Sequence, residues 1–286
     1  MRLVTPFDPW KSRMCTCPEK YSFNPYTGCD HRCRYCYSTY IPNFFNARPK
    51  KMLLQRLERE LRSIEGNSII SMSNSSDPYP PMERELGITR DAIKIIGRRN
   101  LRLLVITKSD GVLRDSDLLK EMRSAVAITI TTFNPEIFEK AEPFAPDPRE
   151  RLKALKKLKK EGIPVILRLD PVMPGLNDGE VEEVIEKASF VDHIVSSTLK
   201  LRHDSYSRMV NAFPELRDLY KKIYFKEGER IQGSFYLRRG LRMEILERIA
   251  EKCRELGISY GFCREGIGFD AESCDGSHLT LTSERR

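Results

Sequence analysis

The 286-residue sequence contains no apolar run approaching the ~20 residues a membrane helix requires, so no membrane span is expected. Its first residues, Met-Arg-Leu-Val-Thr-Pro-Phe-Asp-Pro, lack the apolar core of a secretory leader, and a cytoplasmic protein is expected. Neither an internal repeat nor a low-complexity tract is present, which favours one main domain over an array. A reducing cytoplasm makes disulfides a poor use for the eight cysteines, hyperthermophile cytosol apart, and the Lys- and Glu-rich composition leaves that exception open. What the chain does have is 40% apolar residues, enough to bury a core. Its net charge of +8 lies over 31% charged residues, a basic bias on a mixed surface that suggests a polyanionic partner.

Along the chain a unit recurs: a short apolar or β-branched run, a polar loop, then an amphipathic helix. The runs are 68–72, 101–107, 125–131, 163–169 and 191–195, with helices starting near Thr89, Val112, Asp147 and Asp178. Another helix is expected over 49–64, where Met52, Leu53, Leu57, Leu61 and Ile64 share a stripe. This alternation predicts parallel strands with crossover helices, and a strand just before residue 24 makes six. Residues 204–224 read as helix, 231–239 as a short polar-aromatic run, 243–256 as an amphipathic helix and 258–262 as a last strand. The expected organisation is a lead-in over 1–20, the main α/β unit over 21–200, and a helical, cysteine-containing extension over 201–286.

The cysteines are unevenly placed. None lies between Cys36 and Cys253, whereas Asn24-Pro-Tyr-Thr-Gly-Cys-Asp-His-Arg-Cys-Arg-Tyr-Cys-Tyr37 holds Cys29, Cys33 and Cys36 as C-x3-C-x2-C. Three thiolates so close indicate a metal or cluster site. A structural zinc wants a fourth protein ligand and usually paired C-x2-C clips. A four-iron cluster on three cysteines leaves one iron open to a chelating small molecule.

This spacing, with the aromatic Tyr35 before the third cysteine, is the hallmark of the radical S-adenosylmethionine (SAM) superfamily, and the sequence is identified as a member. The resemblance implies a [4Fe-4S] cluster on the triad, SAM chelated at the open iron, and a 5′-deoxyadenosyl radical that abstracts hydrogen from substrate. It also implies an electron donor such as ferredoxin or flavodoxin. The implied fold is a partial (β/α)6 TIM-type barrel with the cofactor across the strands' C-terminal ends, where parallel barrels build their sites. Cofactor-side candidates are therefore Tyr35, Ser75, Asp77, Lys108, Ser109, Thr131 and Ser196, whose other reading is helix capping or loop solvation. Within the superfamily the chain resembles the spore photoproduct lyase-like group of predicted DNA-repair photolyases over about residues 20–200. The residues carrying this are the cysteine loop, Ser76-Asp77-Pro78-Tyr79 with Glu83, Ile106-Thr-Lys-Ser109, Glu142-Pro with Ala145-Pro146 and Arg151-Leu152, and Pro171 with Pro174-Gly175. That resemblance puts Lys108 and a strand-four hydroxyl on SAM. In the true lyase a cysteine after strand two returns hydrogen to the thymine radical; Asn74 is the match here, which argues against that reaction.

Cys15, Cys17, Cys263 and Cys274, from opposite ends of the chain, suit a second iron–sulfur cluster or a zinc, and a tail cysteine equally suits a hydrogen donor or apolar filler. Cys253 reads as core filler. The candidates for the chemistry itself are Cys263, Cys274 and Tyr79. Basic stretches 149–160 and 221–242, the second interleaved with Tyr224, Phe225, Phe235 and Tyr236, suit phosphate gripping and base stacking, or a solvated face. The expected function is a radical SAM enzyme, lyase or transferase, acting on nucleic acid. The alternatives are a protein- or peptide-modifying radical enzyme and a metal-stabilised nucleic-acid-binding module.

Overall fold

The computed structural model describes residues 2–7 and 14–281. Residues 8–13 of the lead-in and 282–286 of the tail lie outside the described residues. In chain order come β1 (Val4–Pro6), β2 (Tyr21–Phe23), β3 (Tyr26–Thr27), β4 (Arg48–Pro49), α1 (Leu53–Leu61), β5 (Ile69–Met72), α2 (Glu83–Leu86), α3 (Ile88–Gly97) and β6 (Arg102–Thr107). There follow α4 (Ser116–Leu119), β7 (Ser124–Thr129), α5 (Pro135–Ala141), α6 (Pro148–Lys160), β8 (Val165–Val172), α7 (Val181–Lys187), β9 (His193–Thr198), α8 (His203–Ala212), α9 (Arg217–Tyr220), β10 (Glu229–Ile231), β11 (Ser234–Tyr236), α10 (Arg239–Glu255) and β12 (Ser259–Phe262).

One eight-stranded sheet runs β1-β2-β5-β6-β7-β8-β9-β12. Within this sheet only β1 is antiparallel to its neighbour; β2, β5, β6, β7, β8 and β9 are the six expected parallel strands, and β12 adds a seventh beside β9. The sheet is that of a partial TIM-type barrel, and it does not close.

Strand periodicity sorts the core into two faces. Leu103, Val105, Val126, Ile128, Val165, Leu167 and Ile194 join the helix-facing cluster, while Leu104, Ala125, Ala127, Ile166 and Val195 form a separate cluster on the other face. Leu279 and Cys263 of the tail pack against that second cluster. The tail after β12 thus lies in the concave side, and its final 3-10 turn, Ser277–Leu281, packs against β6 and β7.

Local chemistry explains most boundaries. Asn134 and Asp147 accept from the backbone N–H of Glu136 and Arg149, each followed by proline in the first turn. The helix expected near Val112 is instead a 3-10 turn over Asp110–Asp115 leading into one turn of helix. The helix expected over 204–224 is interrupted because Pro214 has no N–H to continue the ladder of α8. The 231–239 run becomes the hairpin β10–β11 and the start of α10. No described helix is long and apolar enough to cross a membrane.

Candidate functional site

The cysteine loop leaves β2 at Asn24, whose Oδ1 accepts from the backbone N–H of Ser75 and Ser76, tying the first strand end to the second. Gly28 then sits at φ +84°, where an added Cβ would lie 2.5 Å from the Asn46 carbonyl oxygen and 2.7 Å from that of Phe44. Only glycine allows this approach, and it lets Cys29 N–H donate to Phe44 O at 2.7 Å. Arg208 braces the far side of the loop, donating to Cys36 O at 2.6 Å and Arg34 O at 3.1 Å.

Cys29, Cys33 and Cys36 line a cavity of about 250 Å³ whose remaining walls are strand ends. Burial pushes the Cys29 thiol up to about 12, the Cys33 thiol well above its usual range and the Cys36 thiol upward. Thiols so placed stay protonated until a bound metal displaces the proton. The donor set, one loop and one cavity suit a thiolate-held cluster.

Beneath the loop lies a buried charge network. Tyr35 donates to Glu142, Thr131 donates to Glu142 Oε1 at 3.1 Å, and Arg151 Nη1 donates to Glu142 Oε2 at 2.6 Å. Lys108 Nζ stands 3.8 Å from Glu142 Oε1 and 5.6 Å from the Tyr35 ring centre. Burial alone would push Glu142 up, but Arg151 and Lys108 pull it down to about 2. Asp77 organises the second and third strand ends, accepting from Thr107 Oγ1 at 2.9 Å, Lys108 N at 2.7 Å and Tyr79 N at 2.9 Å, with His31 Nδ1 at 3.7 Å.

The opposite wall comes from β8, β9 and the chain beyond. Arg168 pairs with Asp170, which also accepts from Ser197 Oγ at 2.6 Å. Lys200 pairs with Glu265 at 2.8 Å, and the wholly buried Arg242 donates to the carbonyl of Glu265. Cys263, Arg264, Gln232 and Tyr236 complete this side.

Of the sequence candidates, Tyr35, Ser75, Asp77, Lys108 and Cys263 line the cavity. Ser109, Thr131 and Ser196 stand outside its walls: Ser109 caps the following turn, Thr131 binds Glu142, and Ser196 donates to Leu169 O at 2.8 Å. Tyr79 is buried against Asp115, its hydroxyl 3.1 Å from Oδ2. Asn74 lines the cavity with its amide hydrogen-bonded to Ser22 and Ser71.

Of the five cysteines outside the triad, Cys253 is buried in the core, and the four expected at a second metal site are divided between two places. Cys17 Sγ lies 3.5 Å from Cys274 Sγ, close to the buried Lys20–Asp275 ion pair, whereas Cys263 faces the cavity. Among the described residues no three Cys, His, Asp or Glu side chains already surround a single-ion centre, the Cys29 triad included. The aromatics of the 221–242 stretch turn inward: Tyr224 and Tyr236 are buried, and Phe225 and Phe235 pack together and against His203. Arg151, from the other basic stretch, is wholly buried.

Arg168, Lys200 and His31 were not singled out from sequence. Arg168 had a signal, since a cation inside the apolar run 163–169 demands a buried partner. Lys200 and His31 sit in loops whose polar residues give no such sign.

Residues 23–188 match the model of the Radical SAM superfamily. The chain is 30% identical over 239 residues to "Uncharacterized protein MJ0683" of Methanocaldococcus jannaschii, covering 82% of this chain and 87% of that protein. It is 24% identical over 257 residues to "Uncharacterized protein Rv2578c" of Mycobacterium tuberculosis, covering 82% and 75%. Among solved structures, spore photoproduct lyase complexed with dinucleoside spore photoproduct superposes with a TM-score of 0.67 at 17% identity, covering 87% of this chain and 78% of that one. A mutant of the same enzyme with bound AdoMet gives 0.65 at 18%, with the same coverage. These structures share the fold. The chain belongs to the radical SAM superfamily, whose members use a [4Fe-4S] cluster and SAM.

Proposed function

We propose that the cavity holds SAM between the cysteine loop and the strand ends, and that the enzyme abstracts hydrogen from a nucleic-acid substrate. Cys29, Cys33 and Cys36 would hold the [4Fe-4S] cluster, which when bound would supply the electron for reductive cleavage of SAM. The chain's own residues bind and orient. Lys108, which lines the cavity with the triad and whose charge acts on Cys33 and Cys36, suits a carboxylate, and Ser75 and Thr129 offer hydroxyls from the cavity wall. The hydrogen bonds that fix Asp77 against Thr107 and Lys108 hold this wall in place.

The observation that carries the substrate class is the charge of the cavity. Arg32, Lys108, Arg168, Lys200, Arg202 and Arg264 line it, and they outnumber Asp77 and Asp170 of the lining even when Glu142 and Glu265, which face Lys108 and Lys200, are counted with them. Such an excess draws a polyanion to the radical site. The fold is shared with spore photoproduct lyase, which was solved with a dinucleoside spore photoproduct. With Asn74 in place of a thiol, the thiol available to a substrate radical outside the triad is Cys263, on the opposite wall. Hydrogen transfer from Cys263 would break its S–H bond, form a C–H bond and leave a thiyl, which one electron from an external electron donor and one proton from solvent would return to the thiol.

The test is anaerobic reduction of the reconstituted enzyme with SAM and a pool of deuterated DNA or RNA. The expected result is 5′-deoxyadenosine carrying deuterium from nucleic acid. Deuterium arriving only from a labelled peptide pool would transfer the function to the protein-modifying class.

A further inference from the structure

The sheet leaves an open side between its β1–β2 end and its β12 end, and the chain spans that opening with its own tail. Gly261 in β12 has no room for a side chain, because an added Cβ would lie 2.5 Å from the carbonyl oxygen of Cys274 and 2.6 Å from its Cα. Gly276 is equally confined, 2.5 Å from Ile166 Cδ1, at φ +76°. These two approaches seat Cys274 and Asp275 inside the barrel, next to the segment that enters β2. There Asp275 pairs with Lys20, and Cys274 meets Cys17.

The sulfur spacing at this join is informative. Cys17 and Cys274 stand 3.5 Å apart, and Cys17 is also hydrogen-bonded to Cys15. A disulfide would set the sulfurs at about 2.05 Å. Zinc–sulfur bonds of about 2.3 Å in a tetrahedron give sulfur–sulfur edges of about 3.8 Å, close to what is seen. A four-iron cluster seats each thiolate on a different iron and so parts them further.

We propose that Cys15, Cys17 and Cys274 form a second metal site, for one soft, tetrahedral ion of the zinc class, which clamps the tail to the lead-in across the open side of the barrel. Among the described residues the three thiols do not yet surround one centre, so ligation requires them to close in, and with three protein ligands the fourth position of the tetrahedron falls to a non-protein ligand. Cys263 is not part of this set, because it faces the cavity. The proposal stands apart from the radical chemistry and does not depend on its substrate.

The experiment uses the full chain, reconstituted anaerobically with iron and sulfide and then exposed to Zn(II), with both metals counted. Four irons and one zinc per chain are expected. Cys17→Ser and Cys274→Ser should each lower zinc at least tenfold with iron unchanged, whereas Cys253→Ser and Cys263→Ser should keep both metals. Should the serine variants fail to fold, Co(II) added to the cluster-loaded wild type should give the intense d–d bands of a tetrahedral thiolate site. Wild-type protein with four irons and no zinc or cobalt uptake, a second set of four irons, or a Cys17–Cys274 disulfide in peptide mass analysis would each overturn the proposal. Zinc and cobalt counts do not read 5′-deoxyadenosine, so their failure leaves the proposed function standing.

Discussion

Glu142 and Arg151 form an ion pair with both side chains wholly buried, Oε2 to Nη1 at 2.6 Å, directly under the loop that carries the cysteine triad. Tyr35, Thr131 and Lys108 surround the same carboxylate. Removing Arg151 would leave a buried, partly compensated anion, which typically costs about 3–5 kcal/mol. Arg151→Met is therefore expected to lower unfolding free energy by that order in denaturant titration, and Glu142→Gln by less, because the amide still accepts hydrogen bonds.

The same pair sets an acid limit. Glu142 is held at about 2 in the folded protein, below its ordinary 4.5. A depressed carboxyl stabilises the fold above its unfolded value, and that contribution is lost as pH falls from about 4.5 to about 2. Its size is on the order of 3 kcal/mol. Stability measured against pH should fall less steeply through this window in Glu142→Gln than in wild type. Parallel curves would remove Glu142 from the account of acid lability.

The sheet was legible in the sequence because its strands are buried on both faces: runs such as 101–107 and 163–169 are nearly continuous and apolar, and the helices between them are long enough to show period. The cysteine triad was legible from spacing alone. Placement within a strand end was harder to read. Thr129 lines the cavity while Thr131 binds Glu142, and Ser197 lines it while Ser196 turns to Leu169, since the last residues of a strand leave the pleat at points the sequence does not mark. The charge network fared similarly. Glu142 and Arg151 were noticed only through resemblance, because a carboxylate and a guanidinium nine residues apart on different elements carry no local signal of meeting.

Lys108 lines the same cavity as the triad, with its Nζ 3.8 Å from Glu142 Oε1. A hydrogen bond to a charged ligand group contributes about 1.5–3 kcal/mol. Lys108→Met should weaken SAM binding by roughly 10- to 100-fold, read as a loss of the SAM-induced change in the reduced cluster's EPR signal, while iron content stays at the wild-type level. Unchanged SAM affinity would assign Lys108 to the buried charge network instead.

Gly28 offers a test of loop geometry that is independent of any ligand residue. Its φ of +84° and the 2.5 Å approach to Asn46 O leave no space for a methyl group. Gly28→Ala must displace the Asn46–Phe44 backbone or the start of the loop, and Cys29 follows directly. The expected outcome is a folded protein that takes up less than half the wild-type iron on reconstitution. Full iron uptake would mean that the loop tolerates the shift.

Cys263 is best examined by uncoupling radical formation from product formation. It lies across the cavity from Asn74, and burial pushes its thiol upward, so it stays protonated and can give a hydrogen atom. A residue needed only to quench the substrate radical is not needed to generate it. Cys263→Ser and Cys263→Ala should therefore still abstract deuterium from labelled nucleic acid into 5′-deoxyadenosine, at a rate within about threefold of wild type, a change of only ~0.7 kcal/mol in the barrier. The substrate-derived products should nonetheless change, with radical-trapped or cross-linked species replacing the reduced product. A merely structural role would instead lower deuterium abstraction and product together, in constant proportion. That result would leave hydrogen return to a thiol or reductant outside the chain.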